Sequence, residues 1–400
     1  MPRRRRWTPV RGTGSRVPHA GERMLLAALD APANLAVRAA RARRGVPALE
    51  PARVREVLVL RLDRIGDVVM CLPALAALRH ALPHARIRLA VGGWSAEVAR
   101  SAPVDEVLVW SAPWAGRRDE GALGVRALVR RARALRGDAI DLGFDLQGDV
   151  RAAALLRLTN ARRRFGYANA GGAWLLTDVV PLDETVGWVE QNRRAVRQAV
   201  GGPDAARPDP LTAEERAAAR RLLEEKGVAG RRPLVGIHPS GGRRVKQWDV
   251  ARWSAVAARL QAEHGACIVI TGSPADRPLA TALAAALPRP ALDLAGVLGP
   301  RETMALIGAM DLFLSPDTGP MHMACAVGTA SVSVFGPSDP VRYFSGEGPR
   351  HAVVRTELWC APCNLIRRPP AECDGERMPE CLERVGVEEV VAVAARLLRG

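Results

Sequence analysis

The stretch from Asp311 to Pro340 contains the residues best suited to chemistry. An apolar strand pattern leads into Ser315-Pro316-Asp317-Thr318-Gly319-Pro320, and His322 lies within the first turn of the helix pattern that follows. A helix start offers free N–H groups and the positive end of the helix dipole, so this loop predicts a site for a phosphorylated ligand. The alternative is a helix capped by Asp317 or Thr318 without a ligand. Capping explains one such residue and not the whole cluster.

A second candidate loop, from His238 to Trp248, follows another apolar run and holds two glycines, two arginines and Lys246. Lysine is scarce in this chain, since Lys226 and Lys246 are the only lysines among 58 basic residues. A compact ammonium acts differently from a guanidinium. The loop does not match the Walker A pattern G-x-x-x-x-G-K-[ST]. Its charge suits a diphosphate that leaves as an anion, and the alternative is a solvated basic turn.

A third loop holds a carboxylate that could act as a base. The apolar run 57–60 continues into Arg61-Leu62-Asp63-Arg64-Ile65-Gly66-Asp67, and a helix pattern follows. This places the loop at the carboxyl edge of a sheet, where ligands of open α/β folds bind. Asp67 is stabilised in its ionised form near a helix N-terminus and can accept a proton from a hydroxyl nucleophile. A plain helix-end carboxylate fits equally well. The dinucleotide fingerprint G-x-G-x-x-G is absent.

A fourth loop, Thr271-Gly272-Ser273-Pro274-Ala275-Asp276, ends on another carboxylate. Asp276 could accept hydrogen bonds from ribose hydroxyls or could cap the next helix. No metal-ligand pair such as Asp-x-Asp stands at a strand end. We therefore expect no metal at this site and no cofactor, with the charge of a leaving diphosphate met by Lys246, loop amides and a helix dipole.

The seven cysteines divide into two groups. Cys71, Cys267 and Cys325 lie in apolar segments and are typical core residues. Four others form the pattern C-x2-C-x9-C-x7-C: Cys360, Cys363, Cys373 and Cys381. That spacing could hold zinc or an iron–sulfur cluster, or the four could pair as disulfides or stay free. A cytosolic location disfavours disulfides, and the sequence leaves the other states open.

The elements that must position these loops alternate between strand and helix patterns. Strand patterns lie at 57–60, 86–91, 107–110, 139–146, 234–237, 266–271, 291–294, 311–314 and 330–335, with helix patterns at 124–135, 212–226 and 387–398. The alternation predicts an α/β protein with doubly wound parallel sheets. We expect a basic Arg- and Ala-rich extension (1–52), an acceptor-side Rossmann-like domain (53–205) and a donor-binding Rossmann-like domain (206–400), the two domains facing each other across a cleft.

Composition limits the partners and the location. A chain of 400 residues suggests two domains. Half of the net charge of +16 lies in residues 1–52, which hold 11 Arg and 3 acidic residues (11 − 3 = +8). No zinc-finger or aromatic-basic RNA-binding pattern accompanies this charge, so we expect no nucleic-acid partner. An anionic membrane surface or acceptor fits better. With no secretory signal and no long uncharged apolar run, we expect a cytoplasmic protein, with peripheral contact to the inner membrane as an option.

Taken together, these motifs resemble glycosyltransferase family 9, the ADP-heptose:lipopolysaccharide heptosyltransferases with the GT-B fold, over residues 54–398. DTGPMHMACAVGTASVSVFGPSDP is similar to the family's D-T-G-x-x-H-x-A-A-A … F-G-P-T-D-P pattern. GIHPSGGRRVKQWDVARW is similar to its phosphate loop with K-x-W, and VLVLRLDRIGDVVMCLPALAALRHALPHARI to its R-x-x-x-x-G-D … P-A-L segment. Trp188-Val189-Glu190-Gln191-Asn192 is similar to its E-x-N helix.

The resemblance implies an inverting, metal-independent transfer of a sugar, heptose from ADP-heptose, to a hydroxyl of a cell-envelope glycan or glycolipid. It implies Asp67 as the general base, Lys246 at the donor diphosphate and Asp276 near the adenosine ribose. It places the donor's phosphates and sugar at Asp317, Thr318, Gly319 and His322, with Arg64 and Gly66 on the acceptor side. Asp63-Arg64 stands where the family commonly has small hydroxyl residues. The alternatives are a related enzyme that uses another nucleotide sugar, and a non-catalytic nucleotide-sugar-binding protein at the membrane surface.

Overall fold

The computed structural model describes residues 49–115, 122–169, 171–203, 209–367, 369–373 and 377–399. The described residues form two compact units, of which the second begins at Asp209. The predicted domain boundary at 205/206 lies outside the described residues, as do residues 1–48 of the predicted basic extension.

The first unit is built on a six-stranded parallel sheet with the strand order β3-β2-β1-β4-β5-β6. Its strands are β1 (Glu56–Arg61), β2 (Arg86–Val91), β3 (Glu106–Val109), β4 (Leu142–Asp145), β5 (Arg163–Gly166) and β6 (Asp178–Val179). β1 is buried along five of its six residues, as a central strand covered on both faces requires. The order reverses between β1 and β4, and the crevice beyond their carboxyl ends is the switch point where ligands of such sheets bind.

Helices connect the strands of this first sheet. They are α1 (Ile65–Val69), α2 (Leu72–Ala81), α3 (Ala96–Ala99), α4 (Val125–Ala134), α5 (Val150–Leu158) and α6 (Trp188–Val200). Four short 3-10 helices accompany them at Pro51–Arg53, Gly93–Ser95, Leu135–Asp138 and Ala173–Leu175. The helix predicted after the first strand is in fact two helices, because Pro73 lies in the first turn of α2, where a residue without an N–H is tolerated.

The second unit repeats the architecture with the strand order β12-β11-β10-β7-β8-β9. Its strands are β7 (Leu234–Ile237), β8 (Cys267–Ile270), β9 (Leu292–Asp293), β10 (Leu312–Pro316), β11 (Ala330–Phe335) and β12 (His351–Arg355). β7 and β10 are buried throughout. The order reverses between them, so the switch point of this sheet lies beyond the ends of β7 and β10.

The helices of the second unit complete the fold. They are α7 (Ala213–Glu225), α8 (Val250–His264), α9 (Arg277–Ala285), α10 (Pro300–Ile307), α11 (Gly319–Val327), α12 (Pro340–Tyr343), α13 (Glu380–Glu383) and α14 (Val387–Arg399), with 3-10 helices at Arg244–Lys246, Pro274–Asp276 and Ala371–Cys373. The capping box that opens α7 is present, since Glu215 N–H donates to Thr212 Oγ1 at 3.3 Å and Thr212 N–H donates to Glu215 Oε2 at 2.9 Å. Along the described residues, no helix combines the length and apolar character needed to cross a membrane.

The core of the second unit contains a tryptophan pair next to the predicted phosphate loop. Trp248 and Trp253 are both completely buried, and their rings meet edge to face with centroids 4.8 Å apart. Trp248 Nε1 donates a hydrogen bond to the carbonyl oxygen of Leu382 at 3.2 Å. Trp248 therefore fixes the end of the loop 238–248 to the core, two residues after Lys246.

We expect Trp248→Ala to lower the free energy of unfolding by about 3–5 kcal/mol, because it leaves a large cavity in a packed core. Trp359 is 61% exposed, so Trp359→Ala serves as the control and should change stability by less than about 0.5 kcal/mol. Chemical denaturation followed by circular dichroism measures both changes. Equal, small effects of the two substitutions would contradict this assignment of Trp248.

Candidate active site

An ion pair spans the switch point of the second sheet. Lys246, from the loop after β7, lies with its Nζ 3.1 Å from Oδ2 of Asp317, the first residue after β10. The same ammonium donates a hydrogen bond to the backbone oxygen of Asp317 at 2.5 Å. Both side chains are nearly inaccessible, with 11% and 9% of their surface exposed. The sequence predicted that these two residues belong to one site, and the structure brings them into contact.

Asp317 is not the helix cap that the sequence left as its alternative. Its Oδ2 accepts hydrogen bonds from Lys246 Nζ at 3.1 Å and from Ser338 Oγ at 2.5 Å. Burial alone would raise the pKa of this carboxyl, but the positive charge of Lys246 and the Ser338 hydroxyl hold it below its usual range. Asp317 is therefore an ionised, buried carboxylate whose partners come from other loops.

The start of α11 supplies the N–H groups that the sequence expected. Thr318 is the N-cap residue with extended backbone angles, and its side chain makes no capping hydrogen bond. Gly319 is the first helical residue. His322 is buried, with Nδ1 2.9 Å from Ser345 Oγ. The end of β10 thus presents Thr318, Gly319 and His322 around a helix N-terminus, which favours a negatively charged group.

The cationic loop turns tightly against its own backbone. A Cβ atom added at Gly241 would lie 2.6 Å from the carbonyl carbon of Lys246 and 2.7 Å from the backbone nitrogen of Gln247. Glycine is therefore required for the close approach that brings Lys246 toward Asp317. Arg243 and Arg244, on the same loop, are exposed. At the start of the loop, burial lowers the pKa of His238 to about 4, so this imidazole is neutral near neutral pH.

Asp276 closes a capping box with Ser273 at the 3-10 helix Pro274–Asp276, and its side chain makes no capping hydrogen bond to α9, which follows. Its Oδ2 accepts hydrogen bonds from the backbone N–H of Ser273 at 2.8 Å and from Ser273 Oγ at 2.6 Å. Burial would raise the pKa of Asp276, but hydrogen bonds from Ser273 and Ser240 keep it low. Because Ser240 lies on the cationic loop, this interaction links the loops after β7 and β8. A contact with ribose stays a prediction.

In the first unit, the predicted base lies at the other switch point. Asp67 lies in the first turn of α1, and 18% of its side chain is exposed. Its Oδ1 is 3.0 Å from Arg61 Nη2, and its Oδ2 accepts the backbone N–H of Arg64 at 3.2 Å. The Arg64 side chain is exposed and Gly66 is buried. The structure shows a held, reachable carboxylate, while acceptor contacts of Arg64 and Gly66 stay predictions.

Sequence reasoning missed two features of this first switch point. Arg61 is the last residue of β1 and is completely buried, although arginine is a residue type that is mostly exposed in proteins. The loop after β4 was also missed: buried Asp145 accepts the N–H groups of Gln147 at 3.0 Å and Gly148 at 3.2 Å. The signal for both was present, since polar residues that directly follow apolar strands mark the carboxyl edge of a parallel sheet.

The four C-terminal cysteines are all free thiols in the structure. Cys381 is buried and the other three are partly buried. Burial first, and the neighbouring thiols second, raise the pKa of Cys360, of Cys373 and of Cys381, the last to about 12. Within the part of the chain that the structure describes, no three His, Cys, Asp or Glu side chains form a group that could hold a metal ion.

Two six-stranded parallel sheets with matching strand orders define a two-domain α/β protein with a GT-B-like fold. Residues 128–369, more than half of the chain, match the model of glycosyltransferase family 9 (heptosyltransferase). The chain belongs to this family, which confirms the resemblance inferred from its motifs.

Individual relatives agree with this assignment. The chain is 24% identical over 296 residues to the lipopolysaccharide core heptosyltransferase OpsX of Haemophilus influenzae, covering 72% of this chain and 81% of OpsX. The structure of E. coli ADP-heptose lps heptosyltransferase II has the same fold, with a TM-score of 0.69 and 20% identity over 86% of this chain and 98% of that one.

A more distant structure shares only the fold. The dodecameric iron-containing heptosyltransferase TibC of E. coli superposes with a TM-score of 0.52 at 16% identity, over 88% of this chain and 78% of TibC. Its description names a complex with ADP-D-beta-D-heptose. The iron and the dodecamer are properties of TibC.

We expect Lys246→Ala to weaken ADP binding about 10- to 100-fold, because it removes one charge-assisted contact to a diphosphate. The chain offers a matched control in its other lysine, since Lys226 is exposed at the C-terminal end of α7. Isothermal titration calorimetry with ADP should find Lys226→Ala within about twofold of the parent affinity. If the two variants bind ADP equally well, Lys246 has no role at the diphosphate.

Proposed function

We propose that this protein is an inverting, metal-independent heptosyltransferase that transfers heptose from ADP-heptose to a hydroxyl of a lipopolysaccharide-type acceptor. The observation that carries the proposal is the group at the second switch point, where Lys246, Asp317 and the start of α11 come together. A cation beside a helix N-terminus suits a nucleoside diphosphate, the leaving group of this reaction.

The relatives support the choice of donor and acceptor. OpsX is named for the lipopolysaccharide core and the E. coli heptosyltransferase II for ADP-heptose, so both substrates are those of proteins built on this fold. The three loops that the sequence analysis matched to the family coincide with the ends of β1, β7 and β10. This agreement favours the same substrate classes here.

The reaction follows from the groups present. The acceptor oxygen forms a bond to the anomeric carbon of the donor as the bond from that carbon to the diphosphate oxygen breaks, which inverts the anomeric centre. Asp67 accepts the hydroxyl proton, and ADP departs with the electron pair of the broken bond. Lys246 and the N–H groups at the start of α11 stabilise the charge that develops on the diphosphate. No step in this scheme needs a metal ion.

Two other functions make distinct predictions. A related transferase could use another nucleotide sugar, since Lys246 and a helix start recognise a diphosphate and not a particular sugar. A binding protein without turnover would not need a held and reachable carboxylate such as Asp67. The presence of both Asp67 and Lys246 favours an enzyme. We also propose that it acts in the cytoplasm at the inner membrane surface, because a lipopolysaccharide acceptor is anchored there by its lipid.

The proposal is tested by incubating the purified protein with ADP-heptose, ADP-glucose, UDP-glucose and UDP-N-acetylglucosamine, with a lipopolysaccharide-core acceptor and with or without EDTA. We expect acceptor-dependent release of ADP from ADP-heptose at least tenfold faster than release of nucleotide from any other donor, unchanged by EDTA. Loss of activity in EDTA, restored by a divalent cation, would overturn the metal-free mechanism. A preference for a UDP-sugar would overturn the donor assignment.

We expect Asp67→Ala to lose turnover by ~10²–10⁴-fold while ADP affinity is retained, because the substitution removes the proton acceptor and leaves the residues proposed to bind ADP unchanged. Asp249 is a matched control, since it also lies at a helix N-terminus, where it accepts the N–H of Ala251 at 2.8 Å. Asp249→Ala costs a helix cap and should leave turnover within about threefold at 25 °C. Near-normal turnover in Asp67→Ala would remove Asp67 from the mechanism.

A further inference from the structure

Arg61 is a completely buried guanidinium that lies between the two strands of the first switch point. It is the last residue of β1, and its Nη1 donates a hydrogen bond to the backbone oxygen of Leu146, just after β4. Its carbon Cζ lies 5.9 Å from the centre of the Trp188 ring, at the start of α6. Burying an arginine costs folding free energy unless its charge is paired, so the burial of Arg61 needs an explanation.

The partners of Arg61 are the two carboxylates of the loop that carries the proposed base. Arg61 Nε lies 2.8 Å from Asp63 Oδ1, and Nη2 lies 3.0 Å from Asp67 Oδ1. The other oxygen of Asp67 accepts the backbone N–H of Arg64. The carboxylate is therefore held from both sides, while 18% of its side chain stays accessible to a substrate hydroxyl.

Several titratable and charged groups surround Asp67. Asp63 and Asp67 lie within one short loop, and buried Asp145 follows on β4. Burial raises the pKa of the Cys71 thiol to about 12 and raises that of the Tyr167 hydroxyl as well, so both stay neutral near pH 7. Arg64 has an exposed side chain, and Glu97 lies on α3, which packs against α1. Arg61 is a completely buried positive charge that is paired with two of these acids, Asp63 and Asp67.

We propose that Arg61 is the positioning residue of the catalytic base: it fixes the plane of the Asp67 carboxylate and keeps that carboxylate ionised at lower pH. The inference rests on the proposed role of Asp67. An opposite charge at this distance favours the ionised form, and its removal takes a buried positive charge away from both Asp67 and Asp63. Arg61 has no direct contact with substrate in this scheme, so it acts only through Asp67.

The pH dependence of kcat/KM reports this effect, because its acid limb reflects the base in the free enzyme. Without the guanidinium, Asp67 should bind its proton at higher pH. We expect the acid limb of Arg61→Met to move up by about one pH unit or more, with a lower rate on the plateau. Arg61→Lys keeps the charge but cannot bond to Asp63, Asp67 and Leu146 together. Its acid limb should therefore lie at the same pH as that of the parent, and only its plateau rate should be lower.

The neighbouring strand provides a matched control. Arg88 on β2 is 3% exposed and is also paired with two carboxylates, Glu56 at 3.2 Å and Asp138 at 2.5 Å. Arg88→Met removes a buried guanidinium of the same sheet without touching the base, so its acid limb should coincide with that of the parent. Thermal unfolding of all variants shows whether loss of structure accounts for a lower plateau rate. A shift of the acid limb along the pH axis does not depend on the fraction of folded enzyme.

The possible results separate this inference from the proposed function. Full turnover in Asp67→Ala would overturn the base and Arg61's role together. If Asp67→Ala is inactive but the acid limb of Arg61→Met coincides with that of the parent, only the role of Arg61 is overturned. Equal shifts of the acid limb in Arg61→Met and Arg88→Met would also overturn that role. If Arg61→Met does not fold, a parent-like plateau in Arg61→Lys overturns the role. A lowered plateau with an unmoved limb in Arg61→Lys supports it.

Discussion

The second unit depends on the contact between Lys246 and Asp317. The two residues come from loops after β7 and β10, the strands between which the order of the sheet reverses, so their ion pair joins the two sides of the switch point. A buried pair of this kind contributes little net stability, because desolvation offsets the attraction. It does fix geometry: Trp248 anchors one side of the pair in the core, and the start of α11 follows directly on the other.

The first unit also has a paired cation and carboxylate at its switch point, but there the cation ends a strand and the carboxylate lies in the following helix. A cation at the end of β1, Arg61, is paired with a carboxylate in the first turn of the next helix, Asp67, and also bonds to the loop after β4. The same arrangement occurs in both units because, in parallel sheets of this order, the loops that follow two central strands begin side by side at the switch point. Both units thus place a paired cation and carboxylate where their sheets are open to a ligand.

Much of this could be predicted from sequence, for physical reasons that also explain the failures. Central strands such as β1 and β7 contain continuous apolar runs, because both faces are covered. β5 and β12 were missed since they read RRFG and HAVVR: their polar side chains lie at half-buried positions, where Arg163 pairs with Asp178 at 2.6 Å. Lys246 and Asp67 were found by type and spacing. The contact of Ser338 with Asp317 was not, since contacts between separate loops leave no periodic signal.

Burial distinguishes the two carboxylates in a way that their sequence positions do not. Both follow a central strand and lie at a helix start, and either could be assigned as a base from sequence. Asp317 has 9% of its side chain exposed, and its Oδ2 accepts hydrogen bonds from both Lys246 and Ser338. Its negative charge is therefore stabilised by neighbouring side chains and is hardly accessible to a substrate. Asp67 has twice that exposure, 18%, with Oδ1 in contact with Arg61 and Oδ2 in contact with the backbone N–H of Arg64. A proton acceptor must be reachable as well as ionised, so the greater exposure of Asp67 supports its proposed role as the base.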